Sequence, residues 1–488
     1  MSQPSERPAE IRVPSAPARL NPAWSLGMLL AINLLNYIDR YNLAAIVPTL
    51  ETSSGFFEPG DPNIRGKLGL LMPAFMIAYM LFAPLFGSLG DRYNRWKLIA
   101  IGVALWTAAT GLCGLATSWL MLLLMRCALG VGEAAYGPVA PAIIADLYPV
   151  EKRGQKIAWF YAAIPVGSAL GYTLGGQIAR FDWRWVFFVM VPPGIIMAIL
   201  AWFMPDPPRG QSDQVAEVKR RSWKELWPEY RFILSIKSYW YDTVGMIAMT
   251  FAMGGVAFWM PYYVFKYSFE SEQVPRLGAM VVGLQAASAL QPLGVAGVLP
   301  VLEPMADYAE RSKDAIATDN TIFGAILVVS GLMATLTGGW LGDQLRGRIK
   351  GAYFTVSAWG MIAGFGFFLA VLYVPWPLAW VFVFLAVFCL FFNTGPMNAV
   401  LANVVPPSLR ATAVALNILV IHALGDAISP YIIGFVADKS TLRLGFVVVS
   451  VMILASGVIW LIGARHEDPD TLAAPTLPLP GRSPPAAP

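Results

Sequence analysis

Residues Gly87–Lys97 read GSLGDRYNRWK, and residues Gly339–Lys350 read GWLGDQLRGRIK. Both stretches place one glycine four residues before an aspartate and another immediately before it, with basic residues following within a turn or loop. The aspartates are Asp91 and Asp343, and Arg92 and Arg95 follow the first. A second echo lies further on. Arg153 is followed by Gly167, Gly171 and Gly176, and Arg410 by Gly425, Ser429 and Gly434, so spacings of four and five recur. Matching signatures at matching places mark a chain built from two related halves, the plan of many secondary transporters.

Hydropathy supplies the frame around these signatures. Apolar runs lie near 24–50, 68–90, 97–117, 119–147, 156–179 and 184–204, then near 243–267, 319–342, 350–373, 377–404, 411–437 and 444–463. A helix crosses the hydrocarbon core with about 20 such residues. The expected fold is therefore all-α and membrane-embedded, with twelve transmembrane helices in two six-helix pseudo-symmetric bundles. We number these runs as spans 1 to 12. The first signature joins spans 2 and 3 and the second joins spans 8 and 9, the same place in each half. The expected divisions are a disordered N-terminus (1–23), a first bundle (24–204), a charged linker (205–237), a second bundle (238–464) with a long outer loop (268–318), and a Pro-rich tail (465–488).

Composition excludes the alternatives. Of 488 residues, 57% are hydrophobic and 13% charged, where a soluble domain carries about a quarter charged. The mean hydropathy is +0.59. A net charge of +4 is no nucleic-acid signature. Cys113, Cys127 and Cys389 lie singly in apolar runs and read as small buried hydrophobes. The N-terminus has no signal-peptide pattern. With two histidines, no HExxH and no GxSxG constellation, an enzyme is not expected, and neither a metal nor a cofactor is implied. A membrane receptor or channel would leave the paired signatures unexplained.

Basic residues set the expected orientation. Arg92, Arg95 and Lys97, then Lys152, Arg153 and Lys156, then Lys219–Arg221 and Lys224, then Arg346, Arg348 and Lys350, and finally Arg410 all fall on one side. Positive-inside puts that side, and both termini, in the cytoplasm. The apolar stretch 277–302 is long enough to span, yet crossing there would turn Arg346, Arg348 and Lys350 outward, so it is read as part of the outer loop. Short loops and the absence of an N-x-S/T sequon fit a bacterial inner membrane. A monomer in the bilayer is expected.

The residues NLLNYIDRYNLAAIVP (Asn33–Pro48), RCALGVGEAAYGPVAPAIIADLYP (Arg126–Pro149) and YAAIPVGSALGYTLGG (Tyr161–Gly176) carry a family resemblance. Over residues 24–464 the chain resembles the major facilitator superfamily, and in these details it looks like the Spinster family. The resemblance implies a central cavity lined by spans 1, 4, 7 and 10, and a lysophospholipid or sphingoid phosphate as substrate. Small organic anions are the other reading, because families that carry sugar acids share an NYxDR-like span 1.

Charges inside spans are the candidate site, since each costs about 2.5–3.5 kcal/mol to insert and marks function by default. Span 1 carries Asp39 and Arg40. Span 4 carries Arg126 and Glu133, seven apart and thus on one helix face. Asp39 and Glu133 are expected to carry protons, with the proton gradient as driving force. Arg40 and Arg126 are expected to hold an anionic headgroup bidentately, with Tyr37 beside them. The structural alternative is an ion pair, Asp39–Arg126 or Arg40–Glu133, that joins the two spans. In span 11, His422 and Asp426 stand four apart, fit for substrate contact, a second proton site or a gate, or equally a packed polar pair. Asn393 in span 10 is a further cavity candidate, although such amides also serve as interhelical glue. Gly87, Asp91, Arg92, Arg95, Asp146, Arg153, Gly339 and Asp343 are assigned to gating. The glycines of span 5 read as close packing, with a hint of antiport. WKELWPEY in the linker reads as an amphipathic surface helix.

Overall fold

The computed structural model describes residues 21–474 except 54–55, 59, 91, 210–222, 271–298 and 407–408. Side chains at 150, 151, 153–155, 158, 223–226, 270, 299–306 and 411 are also outside the description. Among the described residues, ten helices are long and apolar enough to cross a membrane. They are Ile64–Gly90, Arg95–Gly114, Trp119–Leu147, Trp185–Trp202, Lys237–Phe269, Asp307–Leu345, Ala352–Tyr373, Ala379–Asn403, Thr412–Lys439 and Leu442–Ala473. Two more, Pro22–Glu51 and Val150–Ala179, have 30 residues each. Their polar content keeps them off that set: span 1 holds the buried Asn33, Asn36, Asp39 and Asn42. In chain order these helices are spans 1 to 12. An even number of crossings puts both ends on one side, called here the termini side.

Helix ends follow local chemistry. Asn21 caps span 1, its side chain accepting from the amides of Ala23 and Trp24. Asn94, Ser118 and Thr441 cap spans 3, 4 and 12 in the same way. Span 9 starts at Gly351, whose φ of 57° favours glycine. A side chain there would also meet the Ala464 carbonyl at 2.1 Å. The turn is pinned by Asp468, which accepts from the Gly351 amide at 3.1 Å, and by Glu467, which accepts from Phe354 at 3.0 Å.

Two sequence expectations are revised. Within 268–318, helical structure continues to Glu270 and resumes at Leu299, so that span 8 belongs to a helix of 47 residues, Leu299–Leu345. At 1.5 Å per residue it is far longer than a bilayer is thick. Its charged first part, with Asp307, Glu310, Arg311 and Asp314, reads as a loop by hydropathy alone. The stretch 277–302 lies mostly outside the described residues. The helix read in the linker is present over Trp223–Ser235, whereas the last span extends to Ala473, into the segment expected as a tail.

The two bundles meet chiefly away from the termini. Arg65 of span 2 donates to Glu51 at 3.0 Å and to the Tyr262 hydroxyl of span 7 at 3.3 Å. The Arg65 and Gly66 amides donate to Asp438 of span 11 at 3.0 and 2.6 Å. Tyr172 of span 5 donates to the Ala257 carbonyl at 2.6 Å, and Asn320 of span 8 to the Ala45 carbonyl at 3.2 Å. Among the described residues, every hydrogen bond given between the bundles lies in this far half. Nearby, the Lys67 ammonium at 2.6 Å and the Asn63 amide hold the Asp61 carboxyl below the usual range.

Candidate functional site

Span 1 is held against its bundle by its own polar residues. Asn33 donates to the Phe160 carbonyl of span 5 at 2.8 Å, and Asn42 to Val186 of span 6 at 3.4 Å. Span 5 then approaches closely through glycines. A Cβ on Gly167 would lie 2.7 Å from Cβ of Tyr37, and one on Gly171 2.9 Å from Cβ of Tyr41. These contacts bear out the packing reading of the span 5 glycines. They also fix where Asp39 and Arg40, between the two tyrosines, must sit.

Arg40 pairs with Glu133 at 2.7 Å, the second of the two expected pairings. Its guanidinium lies 4.9 Å from the Tyr37 ring centroid and 4.8 Å from that of Phe75. Arg126 lies over the same Phe75 ring at 5.2 Å, so one aromatic ring serves two cations. Arg126 is fully buried, and among the described residues none of its three side-chain nitrogens has a hydrogen-bond partner. Asp39, also buried, does not form the first expected pairing with Arg126. One of its oxygens accepts from the Thr110 hydroxyl of span 3, and the other is unpartnered. Glu133 likewise keeps one free oxygen. Two carboxylates and two guanidiniums sum to zero charge, yet only one pair is closed.

Against this cluster stands span 11. It breaks its α-helical run with a π-helical turn, His422–Asp426, and Nδ1 of His422 lies 2.9 Å from Asp426. Asp426 is within electrostatic reach of Tyr37 and Tyr41 across the bundle interface. Asn393 lies elsewhere. It is buried, with its amide on the Leu390 carbonyl at 2.7 Å.

Beside Tyr41 opens a cavity of about 150 Å³ between the bundles. Tyr41, Pro165 and Tyr172 line it from the first bundle, and Met260, Phe323 and Phe391 are among the residues lining it from the second. Among the described residues, no charged side chain takes part, and Asn393 is not in the wall.

Three comparisons with known proteins bear on this arrangement. A family model described as Major Facilitator Superfamily matches residues 29–302. Protein spinster homolog 3 of Danio rerio is 34% identical over 430 residues, covering 85% of this chain and 76% of that protein. Protein spinster homolog 1 of Homo sapiens is 32% identical, covering 86% and 73%. The chain belongs to the Spinster family of the major facilitator superfamily. Its fold matches a crystal structure of a bacterial homologue of the human lysosomal transporter Spinster, with a TM-score of 0.71 at 20% identity, covering 93% of this chain and 99% of that one. A D-xylose–proton symporter shares the fold at 0.66 and 16% identity, covering 90% and 97%. This Spinster-family chain is accordingly a membrane transporter.

The residues assigned to gating from the sequence divide in two. Arg95 is buried, pairs with Asp146, and reaches Asp206 at 2.9 Å and the Pro207 carbonyl. Arg209 closes the same corner by donating to the Gly90 and Tyr93 carbonyls at 2.9 and 2.8 Å. Gly87 packs toward Pro138, and Arg92 is exposed. Asp91 and the Arg153 side chain lie outside the described residues. In the second copy, Asp343 accepts from the Tyr353 hydroxyl at 2.6 Å, within its own bundle. A Cβ on Gly395 of span 10 would lie 3.0 Å from Cα of Gly339, whereas one on Gly339 itself would meet nothing within 4 Å. Sequence reading missed Phe75 and Thr110, which touch the charged cluster but look like any apolar-helix residue. It also missed Arg65, Glu51, Tyr262 and Asp438, whose partners are far apart in the chain.

Proposed function

We propose that this chain is a proton-coupled, alternating-access carrier of an amphipathic anion, a lysophospholipid or sphingoid phosphate, in a bacterial inner membrane with both termini cytoplasmic. The observation that carries the reading is Arg126: a permanently charged guanidinium, fully buried, with no acceptor on any nitrogen. A buried charge without a partner costs several kcal/mol. A phosphate or carboxylate headgroup supplies the two acceptor oxygens that a guanidinium fork takes. The uncharged cavity beside Tyr41 supports a hydrocarbon tail as the other half of the cargo.

Charge balance supports the coupling. The empty cluster of Asp39, Arg40, Arg126 and Glu133 is neutral. Each negative charge that the headgroup brings leaves the site one positive charge short. A proton on Glu133 or Asp39 restores the balance, and the unpartnered oxygens of both carboxylates are where it lands. Loss of that proton to the other side re-forms the Arg40–Glu133 pair and releases the cargo.

Proteoliposome flux under an imposed pH gradient tests this. With a labelled lysophospholipid, Arg126→Ala is expected to weaken binding by about 30-fold or more, the equivalent of about 2 kcal/mol for losing a buried charge contact. Asp39→Asn and Glu133→Gln are expected to keep exchange and lose pH-driven accumulation. If both keep it, the coupling assignment fails. If the lysolipid neither binds nor moves while a small organic acid does, the lipid reading fails.

A further inference from the structure

A further buried carboxyl, outside the charged cluster, lies near the termini side of span 7. Asp242 is fully buried, and among the described residues neither of its oxygens has a hydrogen-bond partner. One turn earlier on the same helix face is Ser238, also fully buried, with an unpartnered hydroxyl. Around them the backbone is well bonded. The Ser238 amide donates to Asp470 at 2.8 Å, and Nε1 of the buried Trp460 donates to the Asp242 carbonyl at 3.4 Å. Tyr239 and Thr243, on either side, are spoken for by the Ala413 carbonyl and Asn417. Among the described residues of this corner, the Asp242 carboxyl and the Ser238 hydroxyl are thus the groups left without a partner.

Among the described residues, no cation pairs with Asp242. Span 12 brings Glu467, Asp468, Asp470 and His466 to this end. Glu467, the charged group that acts on Asp242, is itself acidic and is spent on the Tyr353 and Phe354 amides. His466 stacks on Tyr241, at 5.6 Å between ring centroids. Among the described residues, neither Arg410 of span 11 nor Arg231 of the linker helix pairs with Asp242, both of whose oxygens are unpartnered. An ionised carboxylate with neither donor nor cation, removed from water, is costly by several kcal/mol.

We propose that Asp242 is a proton-binding site of the second bundle, loaded in this state and emptied toward the termini side through Ser238. The O–H bond of the acid breaks, its proton passes to a water molecule that enters beside the Ser238 hydroxyl, and the carboxylate remains. Uptake is the reverse. An open pocket lined by Lys237, Trp240, Tyr241 and His466 brings solvent within a turn of this point. The site deepens the proton-coupled reading and rests on it only for its role in transport, because occupancy by a proton is observable without any cargo.

The test is pH-difference infrared spectroscopy on the full-length protein in liposomes, followed by flux. Wild type is expected to give a carboxylic-acid C=O band at neutral pH that vanishes at alkaline pH. D242N is expected to lose that component, while D39N and E133Q retain it. Ser238→Ala is expected to slow the loss of the band after an alkaline jump several-fold. In flux, D242N is expected to keep cargo exchange and flatten its dependence on termini-side pH, with D242E restoring the dependence. An infrared difference spectrum and pH profile of D242N superimposable on wild type would overturn the proposal. Failure of the lysolipid to move would leave the infrared result standing, so the two readings fail separately.

Discussion

Phe75 shows how much of the site depends on residues with no charge of their own. Its ring is shared by Arg40 and Arg126, and desolvated cation–π contacts are worth about 2 kcal/mol. Phe75→Leu keeps the apolar volume and removes the ring face. It is expected to lower the melting temperature in detergent and to weaken headgroup binding, measured by scanning fluorimetry and by titration with the lysolipid. Thr110→Val is the companion change. It removes the donor on Asp39 at nearly constant shape and is expected to cost about 1–3 kcal/mol of stability, checked by the same melting curves. The charges themselves were legible because a span tolerates an Asp, Arg or Glu only for a reason. Phe75 and Thr110 were not, because a phenylalanine or threonine in an apolar run is what any span contains. The pairing was half legible. Helical spacing put Arg126 and Glu133 on one face, but which of them Arg40 or Asp39 meets depends on how spans 1, 3 and 4 are rotated against one another.

At the scale of elements, the contact between spans 1 and 5 holds the site at its depth. A Cβ on Gly171 would come within 2.7 Å of the Ile38 carbonyl, a backbone atom that cannot step aside alone. Gly171→Ala is expected to push span 1 off span 5, at about 1–3 kcal/mol or more for overpacking. Its thermal midpoint and flux should both fall. Gly27→Ala, at an exposed position in span 1 with nothing within 4 Å of a new Cβ, is the control. It is expected to be neutral or to stabilise by about 0.5–1 kcal/mol. Glycine spacing announced close packing in span 5, and the structure adds the partner. Hydropathy located the spans but missed the helix before span 8. A run holding Asp307, Glu310, Arg311 and Asp314 looks like a loop to any hydropathy scale, although nothing in it breaks a helix. The π turn at His422–Asp426 was equally hidden, because its four-residue spacing fits an α-helix as well.

Over the whole molecule, the two bundles behave as bodies joined by a clasp on the far side. The clasp is chemically lopsided. Asp438 accepts from two backbone amides of span 2, while the Arg65 side chain gathers Glu51 and Tyr262. Repeated loop signatures in the sequence announced two halves and a gate near the termini side. They gave no sign of this opposite clasp, whose members lie 373 residues apart for Arg65 and Asp438. Hydrogen bonds to a charged group contribute about 1.5–3 kcal/mol each, so Asp438→Asn removes enough to move a two-state equilibrium by at least tenfold. The direction follows from where the contacts lie: without them the far side opens. A cysteine at Met260, a wall residue of the cavity, reports the change, in a background where Cys113, Cys127 and Cys389 are replaced. With wild-type Asp438, a membrane-impermeant thiol reagent added on the far side is expected to label it slowly. With Asp438→Asn, labelling from that side should rise about tenfold. Unchanged labelling would show that the apolar contacts of spans 5 and 8 keep the far side shut without the clasp.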